Sequence, residues 1–394
     1  MRRHRIVPSN TFTTPRASVL AVLLLLSLGI SPLFGQVIGN VSFLDGEPDV
    51  FRDAQPLWTD VDFGLHVENF DRIRTGEDEL LEVTLFGDSV RIRFQPETVA
   101  AVHVLPPAAA PLAGPPMPGV DPQPRRERLR ALEERPLVVV DLFAGAVSVR
   151  RGTAVQALET GRVDVVVRME HSLVEPTTAE LEVVMTTLGD ALVLGRSGRS
   201  LVRDRQGRVA FAIPGRAVEI ATEGRLRNVG YEAGNAERYG RSWSLRRMDE
   251  LAARAREVMR GVWEHYRRLE ERFVAEFGRL MEEQSVIETA KDQARVDGVG
   301  EDPIGGIRSV LLPIGRTAYE LERVAARAQR LARYAAERDM DGLLSPQTSV
   351  REFREALADQ QRLLRQRLDT VRYAVKLYHA GTGRTLLGAG FPGR

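Results

Sequence analysis

Two hydrophobic periods divide the chain. From Val37 the apolar positions alternate with polar ones through Val41 and Phe43, an Asp45-Gly46 pair intervenes, and Val50 follows. The alternation returns in Leu81, Val83 and Leu85, stops at Gly87-Asp88-Ser89, and resumes in Val90, Ile92 and Phe94, with Arg91 and Arg93 between them. A period of two puts successive side chains on opposite faces, so this stretch predicts an antiparallel hairpin, apolar inside and basic outside. Further short runs follow at Val138–Leu142, Val147–Val149, Val163–Val167, Leu181–Val183, Leu192–Leu194, Val209–Ile213 and Val218–Ile220. Turn signals at Gly152, Gly161, Gly189-Asp190, Gly198, Gly207 and Gly215 separate them. Many short strands at close spacing predict an all-β sandwich or β-roll, built from residues 36–104 and 137–228. Between these parts, residues 105–136 begin LPPAAAPLAGPPMPGVDPQP. Proline fixes φ and lacks an N–H, so no central strand can run there, and the stretch reads as a linker or surface insert.

After Arg241 the period changes. Leu245, Met248, Ala252, Ala255, Met259, Val262, Tyr266, Leu269 and Phe273 are spaced by three and four. This is the seam of a coiled coil or a long bundle helix. Ser244 is its expected N-cap, and its end is expected near Val296, before a glycine-rich loop. A second stripe runs from about Ile304 to Arg338, where Pro313 predicts a kink or a delayed start. A third begins at Ser349, with Glu352 completing a capping box, and runs through Phe353, Leu357, Leu364, Leu368, Val371, Val375 and Tyr378. Gly381 predicts its stop, and residues 381–394 read as a mobile tail. The fold class expected is therefore α+β in segregated domains: a β domain, then an antiparallel helical bundle or coiled coil over residues 241–380. Trp243, Trp263 and Tyr266 are expected as core anchors rather than a partner surface.

The segments GNVSFLDGEPDVFR and DRIRTGEDELLEVTLFGDSVRIRFQPETVAAV resemble the FecR domain. Asp71, Ile73, Thr75 and Gly76 match the family's G-D-x-I-x-T-G segment, with Phe70 in place of its first glycine. Gly87-Asp88-Ser89 stands at its D-G-S turn with the first two residues exchanged, and Pro96 matches its closing proline. The resemblance is specific over residues 39–104 and looser beyond. It implies an all-β, envelope-facing domain used for sensing or protein contact. By their residue types alone, Thr75 and Gly76 read as turn residues, the glycine serving positive φ.

The N-terminus adds a compartment. Arg2, Arg3, Arg5 and Arg16 precede VLAVLLLLSLGI at Val19–Ile30, and Ser31-Pro32 break that run. Residues 1–35 read as a cleaved secretory signal, since the run falls short of the about 20 apolar residues a spanning helix needs. An uncleaved anchor over Ala17–Phe34 is the alternative, and it would be the chain's one membrane contact. Too few residues precede Val19 for the cytoplasmic sigma-factor-binding region that the family's transducers carry. A periplasmic or secreted protein of a bacterium is expected. The 394 residues include no cysteine, which excludes disulfides, thiolate metal sites and an acylated lipoprotein anchor. Lys and Arg number 55 against 54 Asp and Glu, a balance that argues against a nucleic-acid partner. Lysine occurs only at Lys291 and Lys376, so the positive charge is almost all arginine.

Chemistry is sparse. The 6 histidines, His4, His66, His103, His171, His265 and His379, lie apart in sequence and show no zinc spacing. There is no G-x-S-x-G elbow, P-loop or dinucleotide fingerprint. Glu170 with His171 is the one pair worth inspecting for catalysis. No catalytic, cofactor or metal residue is assigned, and no cofactor is expected. The expectation is a non-enzymatic exported envelope protein. Its β domain would bind an envelope protein or cell-wall polymer, and its helices would position or oligomerise it. The alternative is a periplasmic sensing component that acts through a separate membrane protein.

Overall fold

In the computed structural model, the structure describes residues 37–52, 55–56, 61–105, 137–152, 163–176, 180–296 and 301–382. The signal segment, residues 106–136 of the proline-rich stretch, the Gly161 turn and residues 383–394 of the tail lie outside the described residues. Among the described residues no helix is long and apolar enough to cross a membrane.

The first part of the β domain holds β1 (Val37–Asp45), β2 (Asp49–Arg52), β3 (Gln55–Pro56), β4 (His66–Glu68), β5 (Arg72–Arg74), β6 (Leu80–Leu85), β7 (Val90–Phe94) and β8 (Val99–Leu105). The long β9 (Leu137–Arg151) opens the second part. It is followed by β10 (Asp164–Arg168), β11 (Ser172–Pro176), β12 (Glu180–Met185) and β13 (Ala191–Ser197). β14 (Ser200–Asp204), β15 (Val209–Ala212), β16 (Arg216–Ile220) and β17 (Leu226–Gly230) complete it.

These strands form two layers that share β9. One layer runs β4-β1-β6-β7-β9-β12-β13-β16-β17 and is antiparallel throughout. The other runs β3-β2-β5-β8-β9-β10-β11-β14-β15, with β9–β10 its parallel pair. Residues Leu137–Ala144 of β9 pair with β8, and Leu137–Asp141 of them also with β10. Its remaining residues pair with β7 and β12. Inward-facing Val41, Ile73, Val83, Ile92, Val140, Val149, Val183, Val202 and Val218 of the two layers form one core.

The two parts repeat one plan. β5 and β11 start each unit, the hairpins β6–β7 and β12–β13 follow, and β8 and β14 return to the other layer. β9 closes the first unit and opens the second, because it pairs with β7 on one side and β12 on the other. The described strands on both sides of β9, β1–β8 and β10–β17, are therefore two parts of a single sandwich.

β9 changes layer at Gly145, where φ is +87°. A Cβ there would meet the Thr98 Cα at 2.5 Å and the Glu97 carbonyl oxygen at 2.6 Å. The Thr98 hydroxyl fills the gap in the ladder, accepting from Ala146 N at 3.0 Å and donating to Ala146 O at 2.9 Å. Asp71 and Thr75 are also structural. Asp71, 1% exposed, receives Arg52 Nε at 3.0 Å and Nη2 at 2.8 Å, and caps Glu68 N at 2.8 Å. The Thr75 hydroxyl donates to Gln95 O at 2.6 Å and accepts from Thr98 N at 2.8 Å, tying β5 to β8. Phe70, in the place of the family's glycine, adopts φ +74° and stacks on His103 at 5.5 Å. One expectation fails here: Gly76 is not at positive φ. Its N–H is donated to the Glu79 carboxylate, which lies against it.

The helical region holds α1 (Ala236–Glu282), α2 (Gln284–Val296), α3 (Glu301–Gly306), α4 (Arg308–Glu337) and α5 (Val350–Thr382). α1, α4 and α5 share one apolar core, in which Met259, Tyr266, Phe273, Leu311, Leu321, Leu331, Phe353, Leu368 and Tyr378 are buried. The capping box stands as expected: Glu352 N donates to Ser349 Oγ at 3.1 Å, and Ser349 N to Glu352 Oε2 at 2.7 Å. Several boundaries differ. α1 begins at Ala236, not after Ser244, and breaks at Glu283. Its first turns lie on the sheet, where Trp243 packs on Leu192, Leu194 and Ala217, so Leu245 and Met248 face away at 61% and 43% exposed. Pro313 lies inside α4 and the break falls earlier, at Ile307. Gly381 does not stop α5, which runs to Thr382. Trp263 is only partly buried, stacked on Tyr266 at 5.6 Å.

The Gly145→Ala variant is expected to lose roughly 2–4 kcal/mol of stability, from left-handed strain and the clash with the β8 backbone. An unchanged urea midpoint would show that β9 tolerates a side chain at its crossing.

Candidate functional site

The face of α4 that meets the sandwich carries Tyr319, Arg323, Arg327 and Arg330, at successive spacings of four, four and three. Such spacing aligns side chains on one helical face. Each finds a partner on the β domain. Tyr319 OH donates to Asp141 Oδ1 at 3.2 Å. Arg323, 3% exposed, pairs with Glu170 at 2.9 Å. Arg327 donates to Thr187 O at 2.7 Å and to Leu188 O. Arg330 Nη2 reaches Glu97 Oε2 at 3.2 Å, and Arg333 Nη1 the same carboxylate at 3.1 Å. Beneath this row, Phe143, Ala144 and Val99 of the sheet pack on Ala326 and Tyr319.

Asp141 is the centre of the seam. It accepts from Arg168 Nη2 at 2.7 Å and also from Arg168 Nε, and His103 Nδ1 lies 3.6 Å away. The Arg168 guanidinium also sits over the Tyr319 ring at 4.7 Å. Burial works against the Arg168 charge, but the Asp141 carboxylate more than offsets it and holds the group firmly protonated. Burial pushes the His103 imidazole down to about 4, against the pull of Asp141. Burial, then Asp141, raises the Tyr319 hydroxyl.

Glu170 and His171 are adjacent as the sequence suggests, with His171 Nε2 3.3 Å from Glu170 Oε1. Glu170 is nevertheless committed to Arg323. Burial raises the carboxyl, and Arg323, His171 and Arg327 more than cancel that, leaving it below the ordinary range. Burial also lowers His171 despite Glu170. Through Arg323, Glu170 fastens α4 to the sheet, with His171 beside it. His66 meets Asn40 at 2.7 Å, whereas His171 and His265 both lie within the electrostatic reach of Glu170 and Arg323. Among the described residues no group of three His, Asp or Glu is placed to hold a metal.

A wide groove lies beside this seam, between α1 and the sandwich. It encloses about 500 Å³. Leu188, Val258 and Val262 form its apolar floor. Charges ring it in pairs: Arg247 with Asp190 at 2.7 Å and Glu250 at 2.5 Å, and Arg254 with Glu257 at 2.8 Å. Burial raises the Asp190 carboxyl, against its Thr186 hydrogen bond and Arg247. Gly261 opens onto the groove, and a Cβ there would meet nothing within 4 Å. Sequence reasoning missed this place. Gly189-Asp190 reads as a turn, and Gly189 holds φ +94° there, with the Arg327 guanidinium packed against it. Arginine at three- and four-residue spacing inside an alanine-rich helix was the available signal.

No family model matches the chain, and no curated protein matches it. Among solved structures, two of a candidate anti-sigma factor from Parabacteroides distasonis are similar, each at 15% identity and a TM-score of 0.28. They cover 41% and 43% of this chain, and 60% and 63% of their own. The match thus spans less than two thirds of that protein, and nothing about this chain's function follows from it.

His103 gives a pH test. The folded chain keeps its imidazole neutral where an unfolded chain, near the ordinary 6.5, would protonate it. Its contribution is complete above pH 6.5 and is lost as pH falls toward 4. Between pH 7 and pH 4.5 the wild type is expected to lose roughly 1–3 kcal/mol more than the His103→Gln variant. Parallel urea-unfolding curves for the two proteins across that range would contradict this.

Proposed function

We propose that this is a non-enzymatic exported envelope protein that holds a partner in the groove between its sandwich and α1. The groove itself carries the reading. It joins an apolar floor to a rim of fixed charges, at the line where the two regions meet, as ligand sites commonly do. The ion pairs at Glu170 and Glu97 and the Tyr319 hydrogen bond to Asp141 support a scaffold role, because they hold α4 against the sheets. The helices then position the binding face, and the stripe from Ala255 to Phe273 is spent on the chain's own core. The resemblance of residues 39–104 to the FecR pattern and the export pattern of the N-terminus support an envelope location for such a module. The partner class is an envelope protein or a cell-wall polymer.

Gly261→Trp tests the groove without disturbing the fold, since a side chain has room there. Purified protein on beads is expected to retain one stoichiometric component from an envelope extract, and the variant to retain at least about tenfold less, with an unchanged circular dichroism spectrum. Equal retention by both proteins would remove the groove from the account. A membrane protein as the retained component would favour the sensing reading. Turnover of peptidoglycan by the purified protein would overturn the non-enzymatic one.

A further inference from the structure

A second crevice lies on the opposite side of α4, between the outer face of β2 and β5 and the helices α4 and α5. It has room of about 50 Å³ and is lined by Arg72, Arg74, Arg365 and Arg372 together with Glu322 and Asp369. Water-sized space of that order accommodates a group of a few heavy atoms.

The charges are unevenly matched. Arg372 takes both helical carboxylates: its Nε lies 2.9 Å and its Nη2 2.5 Å from Glu322 Oε1, and its Nη1 2.6 Å from Asp369 Oδ1. Arg74 pairs with Asp49 at 2.6 Å. Arg72 has no ion pair among the described residues, and its guanidinium rests 5.9 Å from the centre of the Phe143 ring. Neighbouring Ile73 points into the core at 0% exposed, so alternation along β5 sends Arg72 and Arg74 together to the helix side. Burial pulls Arg72 down to about 10, with Glu322 opposing and Arg372 and Arg365 adding to the fall. An arginine held beside two other cations without a carboxylate of its own is a costly arrangement for a chain that gains nothing from it.

We propose that this crevice binds a compact oxyanion, with Arg72 as the principal donor. The planar guanidinium fork matches the two oxygens of a phosphate or carboxylate, and the apolar walls of Leu364, Leu368 and Ala325 strengthen such a bond by excluding water. The site is independent of the groove beside α1 and stands or falls separately.

Thermal unfolding of the full chain tests it, in inorganic phosphate, in acetate and in chloride at matched ionic strength. Phosphate or acetate at a hundredfold excess over its dissociation constant is expected to raise the wild-type Tm by roughly 3 °C over chloride. Whichever anion acts identifies the group. Arg72→Gln is expected to lose that rise while its Tm in chloride equals or exceeds the wild type's. Gln329→Glu guards against a folding defect in the first variant. Gln329 lines the same crevice, and the near-isosteric change adds a carboxylate to it that competes with an added anion, so the response to added anion should vanish with no loss of Tm. Wild-type behaviour no different in chloride, or an undiminished rise in both variants, overturns the proposal.

Discussion

Strand β9 is hydrogen-bonded on both edges along most of its length and covered on both faces over its first half. Residues Leu137–Gly145 are therefore buried one after another, with Val140 and Leu142 in the sandwich core and Phe143 under α4. A strand with no solvent face cannot carry a polar side chain without a partner. Asp141 breaks the apolar run, and its carboxylate must be met. Arg168 from β10 and Tyr319 from α4 meet it, so a single buried charge ties the parallel strand pair to the helix. Removal of one member of such a group leaves the others uncompensated, at a cost of about 3–5 kcal/mol.

The same strand explains the architecture. A sandwich needs its chain to pass between layers, and here the passage is made in mid-strand at Gly145, not through a loop. That geometry lets β9 end one structural unit and begin the next. It also leaves the outer faces of both layers apolar in patches: Phe143 on one, Leu192 and Leu194 on the other. α4 covers the first patch and the start of α1 the second. The helical region is thus bound to the sandwich along two lines, and the spaces left beside those lines are the groove and the arginine crevice.

The charge composition acquires a meaning in this frame. With lysine nearly absent, the polar side of each interface is built from arginine, whose fork serves two acceptors at once. Arg327 bridges two backbone carbonyls, Arg52 grips both oxygens of Asp71, and Arg372 spans two carboxylates. The overall neutrality noted from the counts hides this local pairing. Arg72 stands outside it, buried beside other cations, which is why the crevice and not the more heavily charged groove rim is assigned an anion.

The period of the apolar positions determined the two regions, the places of most strands along the chain and the buried faces of the later helices, and Ser349 with Glu352 the capping box. Those features depend on neighbours a few residues apart, where spacing alone sets which side a group occupies. The FecR-like residues were equally legible as a pattern, and Asp71 and Thr75 prove to be its hydrogen-bonding joints. Tertiary structure decided the rest. It buried Trp243 and turned Leu245 and Met248 outward, because the start of α1 answers to a sheet face and not to its own heptads. It joined Asp141 to Tyr319 across 178 positions of chain and Glu170 to Arg323, and it left Arg72 without a mate. Long-range pairing of charges follows from how layers stack, and no local periodicity encodes which arginine will face which carboxylate.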